Sequence, residues 1–436
     1  MRRAAIACTL ALAGVTGLWA QQNPPGPLPR ACDAGNGGLT LPQGFCAAIV
    51  ADHIGAARHM AVSPRGDLYV ILLHGTDRAP AGSIVALRDA DGNGRFEQQQ
   101  RFGPNLDGTG IVWHKDFLYV GSDTRIVRFR MSGNALVPAS GPETIVEFPP
   151  QAVHAAKPFA FGRNNDLYVH VGAPSNACQA VDGPEEAGEN PCSLLDASGG
   201  IWKYDASTLG QHHTAARRYA TGLRHTTSLV AHPGSGTLFE VQHGRDQLDT
   251  LWPKRFTARQ NAELVAEEMH VVRPGSNWGW PYCYFDTAQH ARVQSPEYGG
   301  DGKKVGPCAR YDPPIAIFPA HNAPLDLMFY TGTQFPPEFR GGAFVAFHGS
   351  WNRAPLPMDG YNIRFLPFTG DTPSGLDLVF ATGFAGKPQI MRPADAEHRP
   401  AGLAQARDGA IYVSDDVNGR IWKITYIGVP TGRGRQ

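Results

Sequence analysis

Along the chain, a short run of alternating apolar and polar residues, a Gly/Asn/Asp turn, and a second run rich in Tyr, Val and Phe recur six times. The copies read MAVSPRGDLYVI from Met60, TGIVWHKDFLYVGS from Thr109, PFAFGRNNDLYVHVG from Pro158, SLVAHPGSGTLFEV from Ser228, a degenerate LDLMFYTG…GGAFVAFHG from Leu325, and AGLAQARDGAIYVSDD from Ala401. Alternation followed by turn residues and a β-branched or aromatic run is the signature of a hairpin. A third strand often follows: GSIVALRD, TRIVRFRM, GGIWKYDA, GYNIRFLPF and NGRIWKITY. Such a small antiparallel sheet cannot bury both faces alone, and radial stacking of the copies buries them against one another. The pattern therefore predicts an all-β chain, a six-bladed β-propeller of four-stranded antiparallel blades. A β-sandwich would not explain the repeated strand–turn–strand signature. The segment Gly44 to Ile54 precedes the first full copy and is predicted to add a strand to the last blade, closing the ring. Helical periodicity is nearly absent, with Ala258 to His270 the main exception. Long insertions fall between Asn176 and Ser198 and between Asp246 and Pro324, where a rigid scaffold commonly carries its function.

The ends and the cysteines set the compartment. Met1-Arg2-Arg3, the apolar stretch Ala4 to Val15 and the small-residue end Gly17-Leu18-Trp19-Ala20 have the layout of a cleaved secretory signal. No later stretch approaches the run of about 20 apolar residues that spans a membrane. The expected organisation is a signal over 1–20, an N-terminal extension over 21–38, the propeller over 39–428 and a tail over 429–436, in a periplasmic or secreted protein. Outside the signal, which contains Cys8, stand Cys32, Cys46, Cys178, Cys192, Cys283 and Cys308. An even set in an exported chain suggests disulfides; pairing by neighbours is the simplest of about 15 connectivities. Zinc is disfavoured because no C-x-x-C pair exists. Lys plus Arg equals Asp plus Glu, 39 each, so no net field draws the chain to nucleic acid or an acidic membrane. A small neutral substrate suits that balance.

In a propeller, the residues just before each innermost strand face the mouth of the central channel. Here they are Arg58 and His59, Gly108 and Thr109, His154 and Lys157, Arg224 and His225, His321 and Asn322, and Arg399. Cations and imidazoles gathered at one end suit an anionic cofactor combined with proton transfer. Any one of them could equally be a solvated loop charge, and it is their convergence that carries weight. His243-Gly244-Arg245-Asp246 follows the fourth hairpin, where exposed carbonyls can bind a hard cation. His348-Gly349-Ser350-Trp351-Asn352-Arg353 follows the fifth and offers a planar ring beside a guanidinium. Gly275-Ser276-Asn277-Trp278-Gly279-Trp280-Pro281 is rich in aromatics and could pack between blades. Asp89, Asp91 and Asn93 resemble half of a calcium loop. Gln100 stands where the bidentate Glu belongs, so an Asx-rich turn is the simpler expectation. Nucleophile-elbow, Walker, Rossmann and c-type haem motifs are all missing.

The segments AHNAPLDLMFY, FVAFHGSWNR, GSNWGWPYC, GLRHTTSLVAHP, HGRD and DGAIYVSDDVNGRIWKITY together resemble the glucose/sorbosone dehydrogenase family, exported quinoproteins that use pyrroloquinoline quinone and calcium. The resemblance spans about Leu39 to Tyr426 and looks nearer the L-sorbosone and pyranose dehydrogenase branch. It implies a catalytic base at His154 and calcium held by the backbone carbonyls of Gly244 and Arg245, with Asp246 beside them. It also implies cofactor contacts from Arg399 and, at positions whose residue types vary, from Arg58 and Thr109, with Trp351 or Arg353 where the family places a lysine; Lys157, Arg224, His225 and His321 join them as cofactor candidates from their channel-mouth positions. The family's usual GLRN reads Gly222-Leu223-Arg224-His225 here. The implied activity is hydride transfer from C1 of an aldose or a sorbosone-like aldehyde to the quinone. Because no haem motif is present, electrons would pass to an external acceptor such as a separate cytochrome or quinone. Two alternatives remain at this stage. One is a calcium-dependent lactonase-type hydrolase, which needs carboxylate and Asn ligands at the pore; the other is a non-catalytic binding propeller.

Overall fold

The structure is a computed structural model that describes residues 32–73, 83–180 and 183–428. The expected signal at 1–20, the tail at 429–436 and all but the last seven residues of the extension at 21–38 lie outside the described residues.

Six four-stranded antiparallel sheets, the second extended by the short parallel strand Gln211–His212, are arranged as blades whose innermost strands are Ala57–Val62, Gly108–His114, Phe159–Phe161, His225–Ala231, Pro324–Phe329 and Pro400–Gln405. Neighbouring inner strands touch around the full circle. The first blade runs outward through Leu68–Leu72 and Ile84–Arg88 to Gln98–Phe102. In the last blade the outermost strand is Phe45–Ala51, which pairs antiparallel with Ile421–Tyr426 (Phe45 opposite Tyr426, Ile49 opposite Trp422). The ring is thus closed by the N-terminal segment, as the sequence predicts. The disulfide Cys32–Cys46 fastens the chain's start to that closing strand. Cys178–Cys192 and Cys283–Cys308 complete the neighbour pairing.

The blades are buried on both faces. In Leu68–Leu72 every residue is buried. Leu68, Val70 and Leu72 enter the cluster toward the last blade, while Tyr69 and Ile71 enter the cluster toward the second. The period-2 alternation of a strand thus feeds two interfaces at once. Six such clusters fill the six gaps between blades. Among the described residues the blades share no single central core, because stacking in a ring distributes the apolar area between neighbours.

The helical expectation over Ala258 to His270 is only half met. The helix is Ala258–Leu264, with Thr257 and Gln260 forming a capping box at its start. Glu267–Val272 is instead the third strand of the fourth blade, the one third strand missing from the repeats. Its Glu267, Glu268 and His270 are buried and imitate the wet face of a helix. Inside the blade they find partners: Arg292 Nη2 donates to Glu268 at 2.5 Å, and His270 lies between Glu240 and Glu268.

The insertion after Asp246 builds a small core of its own from Leu248, Trp252, Phe256, Val265, Tyr284 and Val293. Arg245 joins it through two hydrogen bonds to Glu297, at 2.5 and 2.8 Å, with Trp252 Nε1 donating to the same carboxylate. Burial opposes ionisation of Glu297, but the Arg245 charge outweighs it and holds the carboxyl below its usual range. Arg245→Met leaves that carboxylate buried without its cation. A loss of about 3–5 kcal/mol is expected, measured as a lower unfolding midpoint in urea.

Candidate active site

His154 belongs to the loop between Glu143–Glu147 and Phe159–Phe161. Its φ is 54°, a left-handed conformation uncommon for a residue with a Cβ. Nδ1 donates to the Ala173 carbonyl at 2.6 Å. That bond assigns the neutral tautomer, so the lone pair sits on Nε2, which has no hydrogen-bond partner among the described residues. The ring stacks on His225 at 4.3 Å between centroids and 19° between planes, and His225 meets His243 edge-on at 4.7 Å. Burial, and then the Arg224 charge, push the His154 pKa down to about 3. Burial, helped by the neighbouring imidazoles, also holds His225 well below its ordinary value. His154 is therefore a neutral base at physiological pH. Its backbone rests on Gly172, where an added Cβ would come within 2.5 Å of His154 O and 2.7 Å of His154 Cβ. Gly172→Ala should displace the imidazole while leaving the blades intact. We expect turnover to fall by at least about tenfold with unchanged far-UV circular dichroism.

Two of the expected guanidiniums sit in matching arrangements. Arg58 Nε lies 3.2 Å from Asp416, which also accepts from His348 Nε2 at 2.8 Å. Arg224 donates to Gly244 O at 2.9 Å and to Asp246 at 2.6 Å. Asp246 is further held by His321 Nδ1 at 3.4 Å, while its backbone N–H donates to Asn176 Oδ1 at 3.0 Å. Burial opposes ionisation of both aspartates. The charges of His348 and Arg58 on one, and of Arg224 and His321 on the other, hold both well below the carboxylate range. For His321, burial opposes the proton, yet Asp246 raises its pKa. Among the described residues the Arg399 guanidinium bonds only to the carbonyls of His348 and Gly349, at 3.1 and 2.7 Å, and lies over the Tyr361 ring. Thr109 is buried at the start of its inner strand. Below this layer the inner strands line a cavity of about 360 Å³ that begins at His59, Ser228 and Asp326.

Other expected residues are placed elsewhere. Lys157 is wholly buried under the His154 loop, which corrects its assignment to the channel surface. The Arg245 side chain turns into the insertion, so only its backbone is left for a cation. The Arg353 guanidinium is spent on the carbonyls of Pro357, Ala262 and Ala320 and ties its loop to the insertion. Trp351 is 57% exposed. Asp89 and Asp91 form the expected Asx-rich turn. Asp89 accepts from the amides of Gly92, Asn93 and Gly94, and Glu97 comes alongside. Sequence inspection missed Asp416, Asn176 and Glu267. Glu267 accepts from Gly244 N at 2.8 Å and Ala323 N at 3.0 Å, and burial raises its pKa to about 7. The Asp-Asp pair closing the sixth copy was the available signal for Asp416. Nothing in the sequence marked Glu267.

The layer suits a planar polyanion of the kind the resemblance implies. Three guanidiniums stand at the starts of inner strands; Arg224 Nε and His225 Nδ1 are buried polar atoms without a hydrogen-bond partner, and Arg58 Nε has only its ion pair with Asp416, an arrangement that natural sites seldom leave unanswered. Gly244 O accepts one hydrogen bond from Arg224 and keeps its second lone pair for a hard cation.

A family model described as TrAA12-like matches residues 39–427. An uncharacterised protein of Borreliella burgdorferi is 27% identical over 209 residues, 48% of this chain and 48% of that one. A pyrroloquinoline quinone-dependent pyranose dehydrogenase of Coprinopsis cinerea is 28% identical over 174 residues, 35% of this chain and 23% of that one. Each of these matches spans less than half of the curated relative's length. Among solved structures, a Trichoderma reesei enzyme of carbohydrate-active family AA12 superposes with a TM-score of 0.71 at 18% identity, covering 89% of this chain and 98% of its own. The holo pyranose dehydrogenase PQQ domain from Coprinopsis cinerea gives 0.70 at 19%, covering 92% and 99%. At these identities the likeness shows the six-bladed fold.

Proposed function

The chain belongs to the TrAA12-like family, and on that premise we propose that it is a quinoprotein oxidoreductase acting on an aldose or a sugar aldehyde. The observation that carries this is His154: a neutral imidazole of fixed tautomer whose Nε2 has no hydrogen-bond partner among the described residues and which feels the Arg224 charge. Pyrroloquinoline quinone, bound with calcium at Gly244 and the Arg245 backbone, would supply a hydride acceptor. Arg58, Arg224 and Arg399 would hold its carboxylates. His154 Nε2 takes the proton of the sugar's anomeric hydroxyl, and the Ala173 carbonyl steadies the imidazolium through Nδ1–H. The Arg224–Asp246 pair keeps the neighbouring charge balanced when that proton arrives. His225 lies flat on His154 and shields one face of it from water.

Export to an oxidising compartment fits the three disulfides. Among the described residues no helix is long and apolar enough to cross a membrane. A sugar as substrate and a separate cytochrome or quinone as electron acceptor complete the proposal. Lactonase chemistry fits less well, because the mouth carboxylates Asp246 and Asp416 are each bound to a guanidinium. The test is calorimetric titration of the purified chain with pyrroloquinoline quinone, with and without calcium. Saturable one-to-one binding that calcium strengthens is expected, and absence of binding in both conditions refutes the cofactor assignment.

A further inference from the structure

His154 is carried by residues that belong to no strand, yet its backbone is held at φ 54°. A side chain with a Cβ stays there only when its surroundings impose the conformation. Two other side chains of the same loop do so. Gln151 Nε2 lies 2.9 Å from Val153 O, 2.9 Å from His154 O and 3.0 Å from Gly172 O. An amide nitrogen has two hydrogens, so the three carbonyls share them. That sharing draws the His154 peptide against the second strand of its blade.

Underneath lies Lys157, with a relative exposure of 0%. Its ammonium donates to Ala155 O and lies 3.4 Å from Gln151 Oε1. The Phe148 ring is 5.7 Å away, and no carboxylate pairs with Lys157 among the described residues. Burial pushes its pKa down to about 8, against the attraction of Asp123. An ammonium placed this way costs stability, and the blade interface around it would pack as well with an alkyl chain. What the cation does is hold Gln151 Oε1 on one side and the Ala155 carbonyl on the other, so the strap closes from both ends of the loop.

We propose that Gln151, anchored by Lys157, is a positioning residue that fixes the His154 imidazole so that Nε2 faces the substrate. This rests on the assignment of His154 as the base, and the experiment separates the two claims. Gln151→Met and Lys157→Met preserve side-chain volume and remove the polar contacts. The first readout is made without cofactor, on histidine-labelled protein by NMR. The wild type should show a slowly exchanging Nδ1–H signal for His154, from its bond to Ala173 O, assigned by its loss in His154→Gln. That signal should disappear in both variants. The second readout is kinetic, on the quinone-loaded chain: kcat falls about 10- to 100-fold while KM stays within about twofold. Lys157→Met should unfold no more easily than the wild type, because a desolvated charge has gone; a merely structural lysine would lose stability and activity together. Should Gln151→Met fail to fold, Lys157→Met carries the same two readouts. Retention of the His154 signal in the variants overturns the proposal, as does an unchanged kcat. If the wild type oxidises no sugar but the signal still vanishes in the variants, the strap stands and the assignment of His154 as base falls.

Discussion

His154→Gln is expected to lower kcat of the quinone-loaded protein by between about 10²- and 10⁴-fold, the range that a positioned general base supplies. Gln can still accept a hydrogen bond from a sugar hydroxyl but cannot keep its proton. Cofactor affinity should therefore change little, and the effect should appear in kcat and kcat/KM alike. The pH profile gives the same test in the wild type. Burial and the Arg224 charge push the His154 pKa down to about 3, so the neutral form is the working one through pH 6.5 and below. Its rate contribution should stay level across the range where an ordinary histidine protonates, and should fall only as pH approaches the lowered value. Stability has the same sign: the folded pKa lies below the unfolded one, so the contribution is complete above about pH 6.5. It is lost as pH falls toward 3. Steady-state dye reduction between pH 4 and 8 reads the first effect and urea midpoints read the second. A rate that halves near pH 6.5 contradicts the account.

Arg224→Met should have the second-largest effect, on binding and folding together. Arg224 and Asp246 are paired at 2.6 Å with side chains 7% and 13% exposed. Removing the cation leaves the aspartate buried with only His321 beside it as a counter-charge, at a cost of up to about 3–5 kcal/mol. The same guanidinium covers Gly244 O and is one of three that face the expected cofactor carboxylates. Quinone affinity should fall by about 100-fold, taking a charge-assisted hydrogen-bonded contact at about 1.5–3 kcal/mol. The double variant Arg224→Met with Asp246→Asn separates the two effects. Stability should largely return because no uncompensated charge remains, while quinone affinity should stay low. Recovery of both would mean that Arg224 acts only through Asp246 and does not meet the cofactor.

The repeats made the architecture legible because each blade needs the same hairpin chemistry. Leu68–Leu72 shows why the signal is strong: alternate residues enter different interfaces, so every position is constrained. The closing strand was legible for the same reason, as Phe45–Ala51 fills the one open edge. Legibility ended where polar residues are buried. Glu267, Glu268 and His270 read as a helix surface because a sequence does not show that Arg292, more than twenty residues later, returns to neutralise Glu268, or that Glu267 meets the amides of Gly244 and Ala323. The site followed the same division. Arg58, His154, Arg224 and Arg399 could be placed beside the inner strands because they precede them at a repeated position. Lys157 shares that spacing, but the left-handed turn at His154 sends it downward into the blade interface. Arg245 was implied only through its backbone carbonyl, which the turn of its side chain toward Glu297 leaves in place; Arg353 was implied by the resemblance, whereas its partner Ala262 lies in an insertion outside the repeat. Asp416 and Glu267 are visible only once the ring is closed.

On the proposed function, a neutral His154 and three guanidiniums at the channel mouth bind a quinone and let it oxidise a sugar. The most direct measurement is a single-turnover experiment: protein loaded with pyrroloquinoline quinone and calcium is mixed with an aldose in the absence of an electron acceptor, and the quinone spectrum is followed. The account predicts stoichiometric conversion to the reduced spectrum in the wild type and a conversion about 10²- to 10⁴-fold slower in His154→Gln. A bound quinone whose spectrum stays oxidised with every aldose and sugar aldehyde tried, or one reduced equally fast in His154→Gln, would contradict it.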